Sequence, residues 1–361
     1  MRILHVITSL RTGGAEKLMV DLLPRFRDMG AEVDLLIFDG TATPFRKALE
    51  ATGIRVIDFG KGGSVYNPLH AVRLAKLMRN YDIVHTHNTA CQLFGAFGSL
   101  FSKAKLITTE HSSSNRRRGN RLLYWLDLWM YSRYNCIICI ADKTATNLRM
   151  HLRRKEHGED NITTILNGVD VNKYASATPS SELKSGLPDG TKAITMVAGF
   201  RWEKDQDTAI KALTFLPEEF HTFFVGDGVR RKECEQLAEQ LGVSNRTHFM
   251  GIRSDVANIL RASDYIVMSS HFEGLSLSSV EGMSVGKPFL ASDVDGLREV
   301  VKDAGVLFPH SDAEALAQEI RMLDADPTYY RNVAEACRKR ASQYDISTMS
   351  RNYMNVYKSL I

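Results

Sequence analysis

Short, strongly apolar runs alternate with helix-length amphipathic stretches along the whole chain. In the first half the runs are RILHVIT (2–8), EVDLLIF (32–38), IRVIDF (54–59), DIVHTH (82–87), KLITTE (105–110), NCIICIA (135–141) and ITTILN (162–167). Between them lie stretches such as AEKLMVDLLPRFRDMG (15–30) and NPLHAVRLAKLMRN (67–80), with apolar residues at helical spacing. The runs are rich in Val, Ile and Leu and alternate little with polar residues, which is the pattern of parallel strands covered on both faces. Alternating strands and helices of this kind predict an α/β chain with doubly wound parallel sheets.

The rhythm lapses over VNKYASATPSSELKSGLPDG (171–190), which is rich in Ser, Pro and Gly and reads as a linker. It then resumes with AITMVAG (193–199), HTFFVGDG (221–228), THFMG (247–251), YIVMSS (265–270), PFLASD (288–293) and GVLF (305–308). Two helical segments, roughly 312–324 and 327–360, follow. The expectation is two Rossmann-like domains, 1–172 and 173–342, with a ligand-binding cleft between them. The closing helix, about 343–361, is expected to pack back on the first domain.

No apolar run approaches the roughly 20 residues of a membrane span. The opening MRILHVITSL reads as a first buried strand, since no small-residue cleavage site precedes Arg11. The odd count of five cysteines fits a reducing cytoplasm. Cys136 and Cys139 form a CxxC, but at i and i+3 on a strand they face opposite sides and read as core thiols. Charge is lopsided: the first 170 residues hold 24 Lys and Arg against 16 Asp and Glu, and the remainder 22 against 26. The first half is therefore the one suited to an anionic partner. Its basic residues are scattered, and no nucleic-acid-binding signature accompanies them.

The segment HFEGLSLSSVEGMSVGKP (271–288) carries Glu273 and Glu281 around a stretch of small residues, between two apolar runs. A helix beginning near Ser278 would aim free N–H groups and its dipole out of the carboxyl end of the sheet, which suits an anion. Gly274 allows close backbone approach. Glu281 could accept hydrogen bonds from a ribose diol, or could simply cap or solvate the helix. RTGGAEK (11–17) offers an open loop at another helix start, without a GxGxxG fingerprint, and serves equally as a turn. Arg201 and Lys204, after AITMVAG, are placed either to meet a diphosphate or to lie in a solvated loop. His85 and His87 share a strand face, and with Glu110 or His111 could ligate zinc or serve a general polar role. In RRRGNRLLYWLDLWMYSRY (116–134), Leu122, Trp125, Leu126 and Trp129 have the spacing of a core stripe, behind the cluster Arg116, Arg117, Arg118 and Arg121.

Taken together, GGAE after the first run, TEH, NGVD, GDG at 226–228 and above all EGLSLSSVEGMSVGKPFLASDVDGLREVV resemble the family 4 glycosyltransferases. That resemblance implies a retaining enzyme of the GT-B fold, with a nucleotide-sugar bound as substrate, no cofactor and no metal. It implies that Glu281 holds the donor ribose and Glu273 the donor sugar. It implies that backbone N–H groups from Gly274, Leu275, Ser276, Leu277 and Ser278 hold sugar and phosphate, and that Lys204 meets the diphosphate. Gly14 would admit the phosphates and His111 would lie beside the transferred sugar. Many members carry an arginine five residues before the lysine. Here Gly199 takes that place, and Arg201 would act from a shifted position. Gly282-Met283-Ser284 replaces the usual Ala-Met-Ala, small for small, a difference expected not to matter. By family frequency the donor is a UDP-sugar. The basic first half suggests a lipid-linked acceptor at the cytoplasmic face of a membrane, met through Arg116, Arg117, Arg118 and Arg121. Alternatives are an epimerase or phosphorylase on the same scaffold, or a non-catalytic nucleotide-sugar-binding protein.

Overall fold

The computed structural model describes residues 1–361 except 12, 61, 112–120, 155–160 and 274–275, together with the side chains of 121–123. It divides into two compact units, residues 1–167 with 346–361, and residues 168–345.

The first unit holds a parallel sheet of β1 (Arg2–Ile7), β2 (Glu32–Ile37), β3 (Arg55–Asp58), β4 (Ile83–His87), β5 (Lys105–Glu110), β6 (Cys136–Cys139) and β7 (Ile162–Thr164). Their order is β3-β2-β1-β4-β5-β6-β7. All seven coincide with the apolar runs. Cys136 and Cys139 join apolar clusters on opposite faces of the sheet, both as free thiols. The second unit holds β8 (Lys192–Val197), β9 (Phe220–Val225), β10 (Thr247–Gly251), β11 (Tyr265–Met268), β12 (Phe289–Ser292) and β13 (Val306–Phe308), in the order β10-β9-β8-β11-β12-β13. In each sheet the order reverses once, between β1 and β4 and between β8 and β11. The carboxyl ends of those pairs are the places where such sheets bind ligands.

Three details depart from the sequence expectations. The segment 171–190 is not a free connector. Asp170 caps a helix over Val171–Ala175 by accepting from the Lys173 N–H at 3.1 Å, Asn258 holds the Thr178 carbonyl at 2.7 Å, and Leu183 is buried. Serine and proline there serve capping and turn geometry that hydropathy does not register. The terminal stretch 327–360 is two helices, Pro327–Ala341 and Ile346–Leu360, parted by a tight turn at Ser342–Tyr344. The second of these packs on helix Gly14–Asp28 in the first unit's core. Among the described side chains of helix Arg121–Ser132 the buried ones are Asp127, Met130 and Tyr131; Leu126 and Trp129 are half-buried, Trp125 stands 72% exposed, and Leu122 lies outside the described side chains. Asp127 is matched by His151 at 3.2 Å. A paired carboxylate on the inner face conceals the helix phase from an apolar count.

Glycines fix two close approaches in the second unit. The GDG turn runs under the end of β8, where a Cβ on Gly226 would lie 2.1 Å from the Ala198 carbonyl oxygen and one on Gly228 2.4 Å from that of Phe200. Gly282, on the inner face of helix Leu277–Ser284, would place a Cβ 2.8 Å from Phe289 and 2.9 Å from Ile266. The Gly-for-Ala difference at 282 therefore does matter: this core is filled by Phe289. Gly282→Ala should destabilise by about 1–3 kcal/mol through overpacking, read as a lower urea midpoint, and Phe289→Leu should restore part of the loss.

Candidate active site

In the second unit the carboxyl ends of β8 and β11 carry the acids and cations singled out from the sequence. After β8 the chain turns through a short 3-10 segment, Trp202–Lys204, and enters helix Gln206–Ala212 through Asp205 at φ 47°. That turn is pinned to the end of β11, where the Ser269 hydroxyl donates to the Asp205 carbonyl at 2.6 Å and the His271 N–H to the Glu203 carbonyl at 2.9 Å. The result is an ion pair between Lys204 Nζ and Glu273 Oε1, with the Ser270 hydroxyl donating to the same oxygen at 2.9 Å. Both charged side chains are largely withdrawn from solvent but not sealed in. Behind them lies a polar brace absent from the sequence expectations. Asp205 accepts from Thr208 at 2.7 Å, His271 Nδ1 lies 3.6 Å from its carboxylate, and His271 and His310 share a hydrogen bond of 2.7 Å.

Helix Leu277–Ser284 begins one residue before the expected Ser278, with Ser276 at its N-cap making no side-chain cap bond. Its first turn is therefore not closed by its own side chain. The Ser276 and Ser278 hydroxyls stand 3.4 Å apart at this end. Glu281 lies one turn further on and is only 6% exposed. Gly274 and Leu275 fall outside the described residues. Arg201 is exposed and makes no side-chain hydrogen bond or ion pair among the described residues; its tie to Lys204 is through the backbone, where the Lys204 N–H donates to the Arg201 carbonyl at 3.1 Å.

In the first unit, Gly14 opens helix Gly14–Asp28 and a Cβ there would meet nothing within 4 Å. The neighbouring Gly13 is the crowded one, with the Glu16 carboxylate folded over it. Desolvation raises the Glu16 carboxyl above its usual range, opposed by hydrogen bonds from its own N–H and from Asn88. Asn88 adopts φ 71° at the end of β4 and donates to Thr8 at 3.1 Å. Arg11, beside the same loop, pairs with Asp39 at 2.9 Å. Asp39 is held down to about 2, chiefly by the Thr41 hydroxyl.

His85 and His87 do share a face, but their partners are not the expected ones. Glu110 points to the other side of the sheet and accepts from Tyr131 at 2.7 Å and from Gln92. The histidines instead stack with His5, aligned with His85 across the β1–β4 pairing. His5 Nδ1 and His87 Nε2 share a hydrogen bond of 3.0 Å, and His87 Nδ1 and His111 Nε2 another of 3.0 Å. His85 bonds Tyr357 at 2.6 Å and Thr109 at 2.8 Å. His5, Tyr353 and Tyr357 escaped the sequence reading. The one signal for them was an isolated His in the apolar first strand.

The two halves of the chain match two glycosyltransferase families, Glycosyltransferase Family 4 over residues 12–173 and Glycosyl transferases group 1 over residues 179–341. The chain is a GT-B glycosyltransferase related to both. The transferase is 26% identical over 360 residues to the lipopolysaccharide core biosynthesis glycosyltransferase LpsD of Rhizobium meliloti, covering 96% of each chain. It is 28% identical over 250 residues to an Escherichia coli UDP-Gal:alpha-D-GlcNAc-diphosphoundecaprenol alpha-1,3-galactosyltransferase, covering 64% of this chain and 63% of that one. Among solved structures it is similar to Anabaena Alr3699/HepE in complex with UDP and glucose, with TM-score 0.83 and 23% identity over 99% of this chain and all of that one. At that identity the likeness speaks for the fold.

Burial holds the His5 imidazole down to about 3 and that of His111 to about 4, and holds His85 and His87 well below the usual range. Unfolded histidines take up protons near 6.5. Between about 6.5 and 4 the unfolded transferase thus binds protons that the folded one does not, and its stability falls as pH drops through that window. Urea midpoints measured from neutral pH down to about pH 5 should decline steadily; a flat profile would contradict the buried neutral cluster.

Proposed function

We propose that this transferase moves a sugar from a UDP-sugar to a hydroxyl acceptor, with retention at the anomeric carbon, in the synthesis of a polysaccharide or glycolipid. The observation that carries the reading is the Lys204–Glu273 ion pair at the β8–β11 switch point, next to the uncapped helix start at Ser276 and one helical turn from buried Glu281. A like-charged carboxylate does not bind phosphate, so Glu281 serves the ribose diol as an acceptor. The N–H groups at Ser276, Leu277 and Ser278, with Gly274 and Leu275, suit the sugar and phosphate oxygens. Lys204, held in place by Glu273, meets the negative charge that grows on the diphosphate as the glycosidic bond breaks, and Arg201 supplements it from the surface. This assigns leaving-group stabilisation to cationic side chains rather than to a metal ion. Glu273 also accepts from a donor-sugar hydroxyl. In the first unit the roles proposed are Gly14 at a phosphate and His111 at the transferred sugar.

The relatives support this reading, since one acts on a UDP-linked galactose and a lipid-diphosphate-linked acceptor, and another serves lipopolysaccharide core synthesis. No helix among the described residues is long and apolar enough to cross a membrane. We extend the proposal to a peripheral contact with anionic lipid at the cytoplasmic membrane face, made by Arg116, Arg117, Arg118 and Arg121. These side chains lie outside the described ones.

A thermal-shift panel of UDP-, GDP- and ADP-sugars should find UDP-sugars stabilising the wild type, by about 2.7 kcal/mol at ~100 times the dissociation constant. Glu281→Ala should lose that response, and an unaltered response would remove Glu281 from the ribose. Lys204→Ala should lower kcat by roughly 10²–10³ with donor binding less affected. Binding to anionic vesicles should weaken with salt and with neutralisation of Arg116, Arg117 and Arg118; salt-independent or absent binding would sink the lipid contact.

A further inference from the structure

A single unbranched chain of hydrogen bonds runs through the interior of the first unit. Its links are Tyr353 hydroxyl to Thr109 hydroxyl at 3.2 Å, Thr109 to His85 Nε2 at 2.8 Å, and His85 Nδ1 to the Tyr357 hydroxyl at 2.6 Å. It continues from Tyr357 to His5 Nε2 at 3.5 Å, from His5 Nδ1 to His87 Nε2 at 3.0 Å, and from His87 Nδ1 to His111 Nε2 at 3.0 Å. Tyr353, Tyr357, Thr109, His5, His85 and His87 are each at most 1% exposed, whereas His111 is partly open.

A neutral imidazole has one N–H and one bare nitrogen. His85, His5 and His87 each use both nitrogens, so each donates on one side and accepts on the other. The hydroxyls of Thr109 and Tyr357 have one proton each; either could accept from both neighbours, but its own proton would then have no acceptor among the described residues. With both of these protons satisfied, all the links point the same way. The histidines enter this count as neutral because burial keeps them so.

The two senses differ only at their ends. If the chain points from His111 inward, the last hydroxyl proton, that of Tyr353, has no acceptor among the described residues and is sealed in the core. If it points outward, Tyr353 donates to Thr109 and the surplus proton emerges at the partly open end. Leaving a buried hydroxyl unsatisfied is disfavoured by about ten-fold or more in population.

We infer that this polar chain is a tautomer lock: Tyr353, Tyr357, His5, His85 and His87 are positioning residues that force His111 to accept at Nε2 and carry its proton on Nδ1. His111 is then an N–H donor at Nδ1, built to hold an oxygen of the transferred sugar and not to abstract a proton there. The inference rests on the proposed place of His111 beside that sugar, but the lock itself is a property of the ligand-free protein.

The test is histidine-selective ¹⁵N labelling of the full chain, with ¹⁵N–¹H correlation spectra near neutral pH and His111→Asn used to assign the His111 signals. A pyrrole-like Nδ1 and a pyridine-like Nε2 on His111 are expected; a proton on Nε2, or an even mixture, overturns the lock. Tyr357→Phe cuts the chain between His85 and His5, so that nothing beyond His5 dictates direction. It should turn His111 into a mixture of tautomers while His111's other contacts stay in place. Turnover should then fall several-fold with donor KM nearly unchanged, where general loosening of the fold would raise KM and lower the urea midpoint. If the tautomer shifts and turnover does not, the role of His111 in transfer fails while the lock stands. If Tyr357→Phe leaves the His111 spectrum unaltered, the lock itself fails.

Discussion

Two parallel strands cannot be joined by a tight turn. When β1 pairs with β4, Ile3 beside Ile83 and His5 beside His85, the chain must leave at one edge and return across a face of the sheet. The same holds where β11 pairs with β8. All the loops that follow strands then gather along one edge of each sheet. Where the strand order reverses, neighbouring loops diverge to opposite faces and leave a crevice. Arg201, Lys204 and Glu273 in one unit, and Gly14 and Asn88 in the other, owe their positions to that requirement before any side chain contact is formed.

Lys204 and Glu273 come from loops 69 residues apart, and their ion pair depends on the β11 end holding the Asp205 turn. An exposed lysine–carboxylate pair contributes little to stability. This one is partly shielded and hydrogen-bonded by Ser270, so its worth lies in orientation: it fixes the ammonium in one place, as the role proposed for Lys204 at the leaving group requires. The helix start beside it has the complementary character, with no side-chain cap from Ser276.

The strands were legible because parallel, doubly covered strands leave apolar runs that no other element explains, and all of those runs coincide with strands. Lys204, Glu273 and Glu281 stood out in the sequence because they lie beside such runs, and the structure brings the first two together. What escaped was whatever depends on partners distant in sequence. Nothing near His5 announces Tyr357, 352 residues away. Nothing near Trp125 reveals that Asp127 turns inward to His151, and nothing in Gly282 announces Phe289 filling the space of a methyl group. The Ser- and Pro-rich segment misled for a related reason: its order comes from caps and from Asn258, which act through hydrogen bonds that composition does not record.

The helix Ile346–Leu360 follows the whole second unit in the chain yet belongs to the first. It covers Phe26 and His5 and supplies both tyrosines of the buried polar chain. A ribosome delivers that helix only after residues 168–345 have emerged. Vectorial synthesis usually lets the leading domain finish before the next begins. Here the first unit must wait, its central histidines uncovered, until residues 346–360 leave the exit tunnel. A stop just before residue 346 would therefore damage the unit whose other residues were made before the second unit began.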